Sequence, residues 1–250
     1  MEPAELTELR ETAMGAGFNL VGVLDVAEFD ARAPAGFRVR DAMPDAASAI
    51  VIGSGGPYFW DVFKKRPTSA DPGDLDRAAG SIDAYSSIVI PKLAERLRGR
   101  GAKAAVVYPF GRERPIVSFR RLAEAAGFGA ADTVLGLVIH PVFGPWVSVR
   151  GAIVTDFELP PSTRFDGYRP CEGCPRPCVA ACPIGSYAGE EWDFHSCQRH
   201  RRDEGGCPTG CWSRLACVVG RERQYSAEEY AYRHSFRPGS AFVPTGLPWR

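Results

Sequence analysis

All eight cysteines of this 250-residue chain lie between Cys171 and Cys217, and the residues before them contain none. A secreted domain held by disulfides would spread its cysteines through a small fold and would follow an export signal. Residues 1–5 read MEPAE, an acidic stretch that lacks the basic region and the apolar run of such a signal. The pattern therefore predicts a cysteine-free domain followed by a segment whose thiolates bind metal in a reducing compartment.

The spacing of these cysteines is typical of iron–sulfur ligands. The first half of the segment contains Cys171, Cys174, Cys178 and Cys182. A proline follows the last of these, and in two-cluster ferredoxins the cysteine before proline binds the other cluster of the pair. The second half contains Cys197, Cys207, Cys211 and Cys217. Together they make enough ligands for two four-cysteine clusters.

The crossed arrangement of two-cluster ferredoxins divides the cysteines into two sets. Set 1 is Cys171, Cys174, Cys178 and Cys217. Set 2 is Cys182, Cys197, Cys207 and Cys211. The spacing between Cys174 and Cys178 is one residue longer than in bacterial ferredoxins, and the second half is looser still, so the pairing stays open. Two four-thiolate zinc sites and disulfides are the alternatives, although zinc sites favour short-spaced pairs separated by a longer loop.

Charge and hydropathy narrow the possible partners. The chain has 30 basic and 30 acidic residues, so no net charge attracts nucleic acid or an anionic membrane. No run approaches the ~18 apolar residues that span a bilayer. We therefore expect a cytoplasmic protein with neither a membrane nor a nucleic acid as partner.

Hydrophobic periodicity predicts a layered α/β or α+β domain ahead of the cysteines. Strands are predicted over residues 19–24, 49–52, 104–108, 133–140 and 146–156. Helices are predicted over residues 3–17, 74–99 and 115–126. Pro91 is expected to kink or divide the second of these helices.

The cysteine segment, with its CxxCxxxCxxxCP run, resembles epoxyqueuosine reductases and, more distantly, reductive dehalogenases. Residues 17–23 (GFNLVGV) and 44–51 (PDAASAIV) are similar to N-terminal elements of those enzymes. The resemblance implies two [4Fe-4S] clusters, a nitroreductase-like domain that binds cobalamin, and an external electron donor such as a ferredoxin, a flavodoxin or a flavin reductase. FMN is the alternative cofactor, because nitroreductase-like folds also bind flavin.

The resemblance to epoxyqueuosine reductases has one local departure. Residues 111–115 read GRERP, with arginines where those enzymes carry an aspartate thought to donate a proton to substrate. Epoxyqueuosine is therefore not the expected substrate.

A second resemblance is to the cobalamin-processing protein CblC. Residues 138–151 read VIHPVFGPWVSVRG and are similar to its HPxFGxW and RG motifs; residues 114–115 and 224–229 are also similar. The resemblance implies a cobalamin site formed by His140, Pro141, Phe143, Gly144, Trp146, Arg150 and Gly151. The two aromatic side chains would face the corrin ring, and the arginine would bind a carboxylate, a phosphate or a thiol-bearing cosubstrate. Without the resemblance, the two aromatic residues read as core residues at a strand turn.

The resemblances imply an architecture and a function. We expect a nitroreductase-like domain over residues 1–157, a ferredoxin-like two-cluster segment over 158–220, and a tail over 221–250 that packs back on the first domain. The expected function is redox chemistry on cobalamin or driven by it. A non-catalytic cobalamin carrier and a ferredoxin-type or flavin-binding electron-transfer protein are the alternatives.

Overall fold

The computed structural model describes residues 3–65, 82–110, 117–189, 192–203, 206–207 and 209–234. The strands are β1 (Leu20–Asp25), β2 (Ser48–Gly55), β3 (Ala104–Val107) and β4 (Val147–Thr155). The helices before the cysteine segment are α1 (Pro3–Gly15), α2 (Val26–Arg32), α3 (Tyr58–Lys64), α4 (Ile82–Arg98) and α5 (Phe119–Ala125). The later helices are α6 (Pro177–Ala180), α7 (Phe194–Asp203), α8 (Trp212–Leu215) and α9 (Ala227–His234). Single 3-10 turns cover Val39–Asp41 and Arg221–Arg223.

The strands form one antiparallel sheet in the order β1-β2-β4-β3. Alternate residues of the central strand β2 are buried on opposite faces. Ile50 and Ile52 pack in a core with α1, α3 and α4, whereas Ala49 and Val51 pack in a second core with α2 and α5. The chain therefore has the expected mixed α/β fold, and its helices lie on both faces of the sheet. Among the described residues, no helix is long and apolar enough to cross a bilayer.

The strand predictions over residues 19–24, 49–52, 104–108 and 146–156 are confirmed, and the one over 133–140 is wrong. That segment forms turns with two isolated bridges, which pair Ala130 with Ile139 and His140 with Gly144. Its apolar side chains Leu135 and Ile139 are buried against the cysteine segment instead of within the sheet. The apolar run thus has a different packing partner from the one that its pattern suggested.

The sequence predicts that Pro91 kinks or divides its helix; the division is wrong, because α4 runs through Pro91, and the kink stays a prediction. Proline costs about 3 kcal/mol in a helix interior. Ile90, Leu93 and Leu97 are almost completely buried in the core on one side of α4, and their burial outweighs that cost. The predicted helical residues 74–81 and the segment 111–116 lie outside the described residues.

The described part of the tail contacts the first domain through α9. The indole nitrogen of Trp60 in α3 donates a hydrogen bond to the carboxylate of Glu228, with an N–O distance of 2.8 Å. The rings of Trp60 and Tyr232 lie 4.8 Å apart. The expected domain boundaries remain predictions.

Candidate metal centre and cofactor site

The four cysteines of set 1 line one concavity together with apolar side chains that include Val134, Leu135 and Ile139. Cys178 and Cys217 are buried. Burial raises the pKa of the Cys178 thiol, and the nearby thiols of Cys217, Cys171 and Cys174 raise it further. Those three cysteines are the other members of set 1.

The cysteines of set 2 form a second group. Burial raises the pKa of Cys197 to about 11, and Cys211, Cys182 and Cys207 contribute to that rise. Burial and the same neighbours, Cys211 and Cys182, also raise the pKa of Cys207. The neighbours of these thiols thus fall within the two sets, although Cys182 also packs against the apolar cluster that contains Cys178 and Cys217. Which cysteines share a cluster stays a prediction. Their role as metal ligands stays a prediction.

None of the eight cysteines forms a disulfide. Within the described ranges, no group of three or more His, Cys, Asp or Glu side chains is placed to hold a single metal ion.

Set 2 includes a polar feature that fits a sulfur-rich cofactor. The hydroxyls of Ser186 and Ser213 are buried and complete no hydrogen bond within the described structure. The backbone N–H of Ser186 donates to Cys182 Sγ at 3.3 Å. Burial acts to raise the pKa of Cys182, but the backbone N–H groups of Ile184 and Ser186 lower it, helped by the hydroxyls of Ser186 and Ser213, which lie near the sulfur without completing a well-aligned hydrogen bond. Buried donors without partners are costly, and cluster sulfurs would accept from them.

His140 caps the turn before β4. Its Nδ1 accepts hydrogen bonds from the backbone N–H groups of Val142 and Phe143, at 2.9 and 3.2 Å. Burial lowers the pKa of His140 to about 4, so the ring is neutral at pH 7. A neutral ring that accepts at Nδ1 carries its proton on Nε2. Neither nitrogen then offers a free lone pair to a metal.

The same turn links the end of β2 to the residues that follow Cys217. Pro141 and Phe143 are half-buried, and a Cβ at Gly55 would lie 2.4 Å from the Phe143 ring. Gly144 has φ +57°, and a Cβ there would lie 2.0 Å from the carbonyl oxygen of Val219. The turn and residues 219–220 are therefore in direct backbone contact, two residues beyond a set 1 cysteine.

Trp146 lies beneath the C-terminal helices. Its side chain is completely buried, with the rings of Tyr225 and Tyr230 each 5.4 Å away. The guanidinium of Arg214 in α8 lies 5.0 Å from the indole ring and donates to the carbonyl of Pro145 at 2.6 Å. The indole is therefore covered by protein, and the half-buried Phe143 ring is the more accessible of the two predicted aromatic groups.

Arg150 and Gly151 face α4. The register of β2 and β4 shifts opposite Ile52, which leaves Arg150 as the extra residue of a bulge. Arg150 donates to the Ser86 hydroxyl at 3.1 Å and to the carboxylate of Asp83. Burial lowers its pKa, and Asp83 opposes that effect. Gly151 lets α4 pack closely against β4, because a Cβ at this position would lie 2.8 Å from the side chain of Ile90.

The seven predicted cofactor residues thus do not form one continuous surface. They lie in three places: the turn at residues 140–144, the buried indole of Trp146, and the part of β4 that faces α4. Around them, several buried polar atoms have no hydrogen-bond partner within the described part of the chain. They include Ser54 Oγ, Trp146 Nε1, Glu229 Oε2 and Arg233 Nη2. These atoms lie where β2 ends, where β4 begins and on α9. Leaving such an atom without a partner costs roughly 1–3 kcal/mol, so this region fits a bound polar ligand or water.

Sequence reasoning missed the side chains that surround the cysteines and the turn. Ser186, Tyr187 and Ser213 contact set 2, and Arg214 and Tyr230 join the C-terminal helices to the turn. The only available signal was their position between or soon after the cysteines. Their contacts depend on the fold of the whole segment.

The described fold and site define a class: an α/β domain with helices on both faces of an antiparallel sheet, followed by a segment that gathers eight cysteines into two groups. No protein-family model matches the sequence, and no curated protein sequence matches it either.

Solved structures do match, and they include epoxyqueuosine reductase and CblC. The selenomethionine-labelled epoxyqueuosine reductase has a TM-score of 0.62 and 15% identity, over 91% of this chain and 68% of that one. Epoxyqueuosine reductase with a tRNA-Tyr epoxyqueuosine-modified stem loop has a TM-score of 0.57 and 17% identity, over 91% and 68%. The B12-trafficking protein CblC from C. elegans has a TM-score of 0.52 and 16% identity, over 95% and 93%.

At these identities the matches show a shared fold. The suspected structural kinship with epoxyqueuosine reductase and CblC is confirmed at that level. The tRNA stem loop in one of the matched structures is weakly at odds with the expectation that nucleic acid is not a partner.

Proposed function

We propose that this chain is a cobalamin-binding iron–sulfur protein that passes electrons through two [4Fe-4S] clusters to a corrinoid. The result is reduction of the corrinoid, removal of its upper ligand, or cobalamin-dependent reduction of a small substrate. One observation carries the proposal: eight cysteines lie in two groups of four, within a fold shared with epoxyqueuosine reductase and CblC. The electrons come from an external donor such as a ferredoxin, a flavodoxin or a flavin reductase.

The cysteine thiolates are the cluster ligands in this proposal. Burial and the neighbouring thiols raise the pKa of Cys178, Cys197 and Cys217, so converging thiolates repel each other without a cation between them. An iron core would remove that repulsion, and the sulfurs of the bound cluster would accept hydrogen bonds from the buried hydroxyls of Ser186 and Ser213. When bound, the clusters supply one-electron transfer and the corrinoid supplies the bond-breaking chemistry.

The described residues fit a corrinoid in two respects. The half-buried ring of Phe143 offers apolar surface, and the unpartnered polar atoms around Trp146 and α9 fit the amides at the edge of a corrin ring. Arg150 adds a positive charge whose position is fixed by its bonds to Asp83 and Ser86. His140 is not a cobalt ligand in this proposal, because two backbone N–H groups occupy its Nδ1.

Titration of anaerobically purified protein with cob(II)alamin, followed by absorbance and EPR, tests the proposal. We expect binding with a base-off spectrum and no hyperfine splitting from a protein nitrogen. An H140N variant keeps an acceptor for the two backbone donors, and we expect it to give the same spectrum. A nitrogen splitting that disappears in this variant would show that His140 binds cobalt. Binding of FMN but of no corrinoid would instead favour the flavoprotein alternative.

A cobalamin carrier without catalysis is the second candidate. It is favoured by the match to the trafficking protein CblC, which covers 95% of this chain and 93% of that one. Anaerobic turnover of methylcobalamin or cyanocobalamin with a chemical reductant separates the candidates. An enzyme removes the upper ligand repeatedly, whereas a carrier binds the cofactor and releases it unchanged.

A further inference from the structure

Hydroxyl groups surround one member of set 2. The side chains of Ser186 and Ser213 are 3% and 1% exposed, and both hydroxyls lie against the Cys182 thiol. Neither completes a well-aligned hydrogen bond with an atom of the described structure. Cys182 also accepts from the backbone N–H of Ser186 at 3.3 Å. With the backbone N–H of Ile184, four donors therefore converge near one sulfur of set 2, and the two hydroxyls among them have no well-aligned acceptor.

A third hydroxyl belongs to Tyr187. Its ring is 9% exposed and stacks on Trp192 with ring centroids 5.9 Å apart. Its hydroxyl forms a hydrogen bond with Cys211 and also lies close to Cys197 and Cys182. A phenol keeps its proton at neutral pH and can donate it to a sulfur acceptor. The side-chain hydroxyls thus reach at least two sulfurs of set 2.

Set 1 has a different environment. Backbone N–H groups donate hydrogen bonds to three of its thiols: Arg176 to Cys174, Val179 to Cys178 and Val219 to Cys217. The concavity that its cysteines line is otherwise mainly apolar. Tyr168 lies near Cys171 and Cys217, but its own hydroxyl acts on neither through a hydrogen bond.

Each set has an arginine nearby. Arg221 acts on Cys217 in set 1, and Arg201 acts on Cys197 and Cys207 in set 2. The hydroxyl donors are one difference between the two environments that the described residues provide.

Reduction adds one negative charge to a cluster. Donors aimed at its sulfurs stabilise that charge, and a low-dielectric apolar lining does not. We propose that the hydroxyls of Ser186, Tyr187 and Ser213 hold the set 2 cluster at a higher reduction potential than the set 1 cluster. One electron from a low-potential donor then settles on set 2, with no bond broken and no proton required. The inference rests on the proposed function, because both clusters must be present.

Potentiometric titration of the anaerobic two-cluster protein, monitored by EPR, tests the inference. The variants are S186A, S213A and Y187F, and Y168F is the matched control near set 1. Each of the three variants should lower the reduced fraction of one cluster at a fixed potential. For S186A combined with Y187F we expect about a tenfold change in the reduced-to-oxidised ratio, equivalent to about 59 mV for one electron. Y168F should leave both potentials unchanged.

In these variants, the cluster whose reduction potential shifts must be the one with the higher potential. A C174S variant in set 1 identifies the EPR signal of the other cluster. The inference is overturned if no variant shifts a potential, if both clusters shift equally, or if the lower-potential cluster is the one affected. Y187F preserves the ring packing, so it remains informative if a serine variant loses its cluster. Two normal EPR signals without a shift would refute this inference while leaving the proposed function intact. Protein without any cluster signal would refute both.

Discussion

Gly144 provides a direct test of whether the turn before β4 and the set 1 cysteines form one unit. Its backbone has φ +57°, and a Cβ there would lie 2.0 Å from the carbonyl oxygen of Val219. Val219 follows Cys217 by two residues, so a methyl group at Gly144 must displace the chain that carries this ligand. No flexible side chain can move aside, because the opposing atom belongs to the backbone.

The expected loss has two contributions. A left-handed conformation costs a non-glycine residue roughly 1–2 kcal/mol. Overpacking adds roughly 1–3 kcal/mol, which gives a total of about 2–5 kcal/mol for G144A. G101A is the matched control, since Gly101 has φ +90° and no atom within 4 Å of the added Cβ. The control should lose only the first contribution of about 1–2 kcal/mol.

Urea denaturation of the anaerobic protein, combined with iron analysis, measures both effects. We expect G144A to have the lower denaturation midpoint and less iron than wild type, because displacement of Cys217 weakens set 1. G101A should retain the wild-type iron content. Equal midpoints for the two variants, together with full iron in G144A, would refute the contact between the turn and the cysteine segment.

Two further predictions concern pH and the second cysteine set. The folded pKa of His140, about 4, lies below its ordinary value of 6.5, so its contribution to stability is complete above pH 6.5. That contribution, roughly 3 kcal/mol, is lost as the pH falls to 4. When the urea denaturation midpoint is measured at decreasing pH, it should therefore fall less steeply for H140N than for wild type. Tyr230 Oη donates to the carbonyl of Cys211 and accepts from its N–H, both at 2.8 Å. Y230F should therefore cost about 1–3 kcal/mol and weaken iron retention, whereas Y58F, which removes an exposed hydroxyl that donates to the Met14 carbonyl, should cost less and leave iron retention unchanged.

The sheet was largely readable from the sequence because its central strands are short apolar runs bounded by turn residues. Residues 49–52 and 146–156 belong to strands buried on both faces, where local composition and final structure agree. The prediction failed at residues 133–140, where Leu135 and Ile139 pack against cysteines far along the chain. A periodic pattern indicates that a segment is buried but does not identify its partner.

The candidate site was readable only in part. The spacing of the cysteines and the proline after Cys182 were sufficient to propose two sets of four. The environment of His140 was not readable, because its neutral state follows from burial and from two backbone donors in a tight turn. The burial of Trp146 likewise depends on Arg214 and Tyr225, which lie far from it in the sequence.

Iron and acid-labile sulfide per chain, measured on protein matured and purified without oxygen, test the central claim most directly. Two [4Fe-4S] clusters predict about eight iron atoms and about eight sulfide ions per chain. Replacement of Cys178 in set 1 or Cys197 in set 2 by alanine should each remove about half of both. Colourless protein that contains zinc and no sulfide would contradict the account.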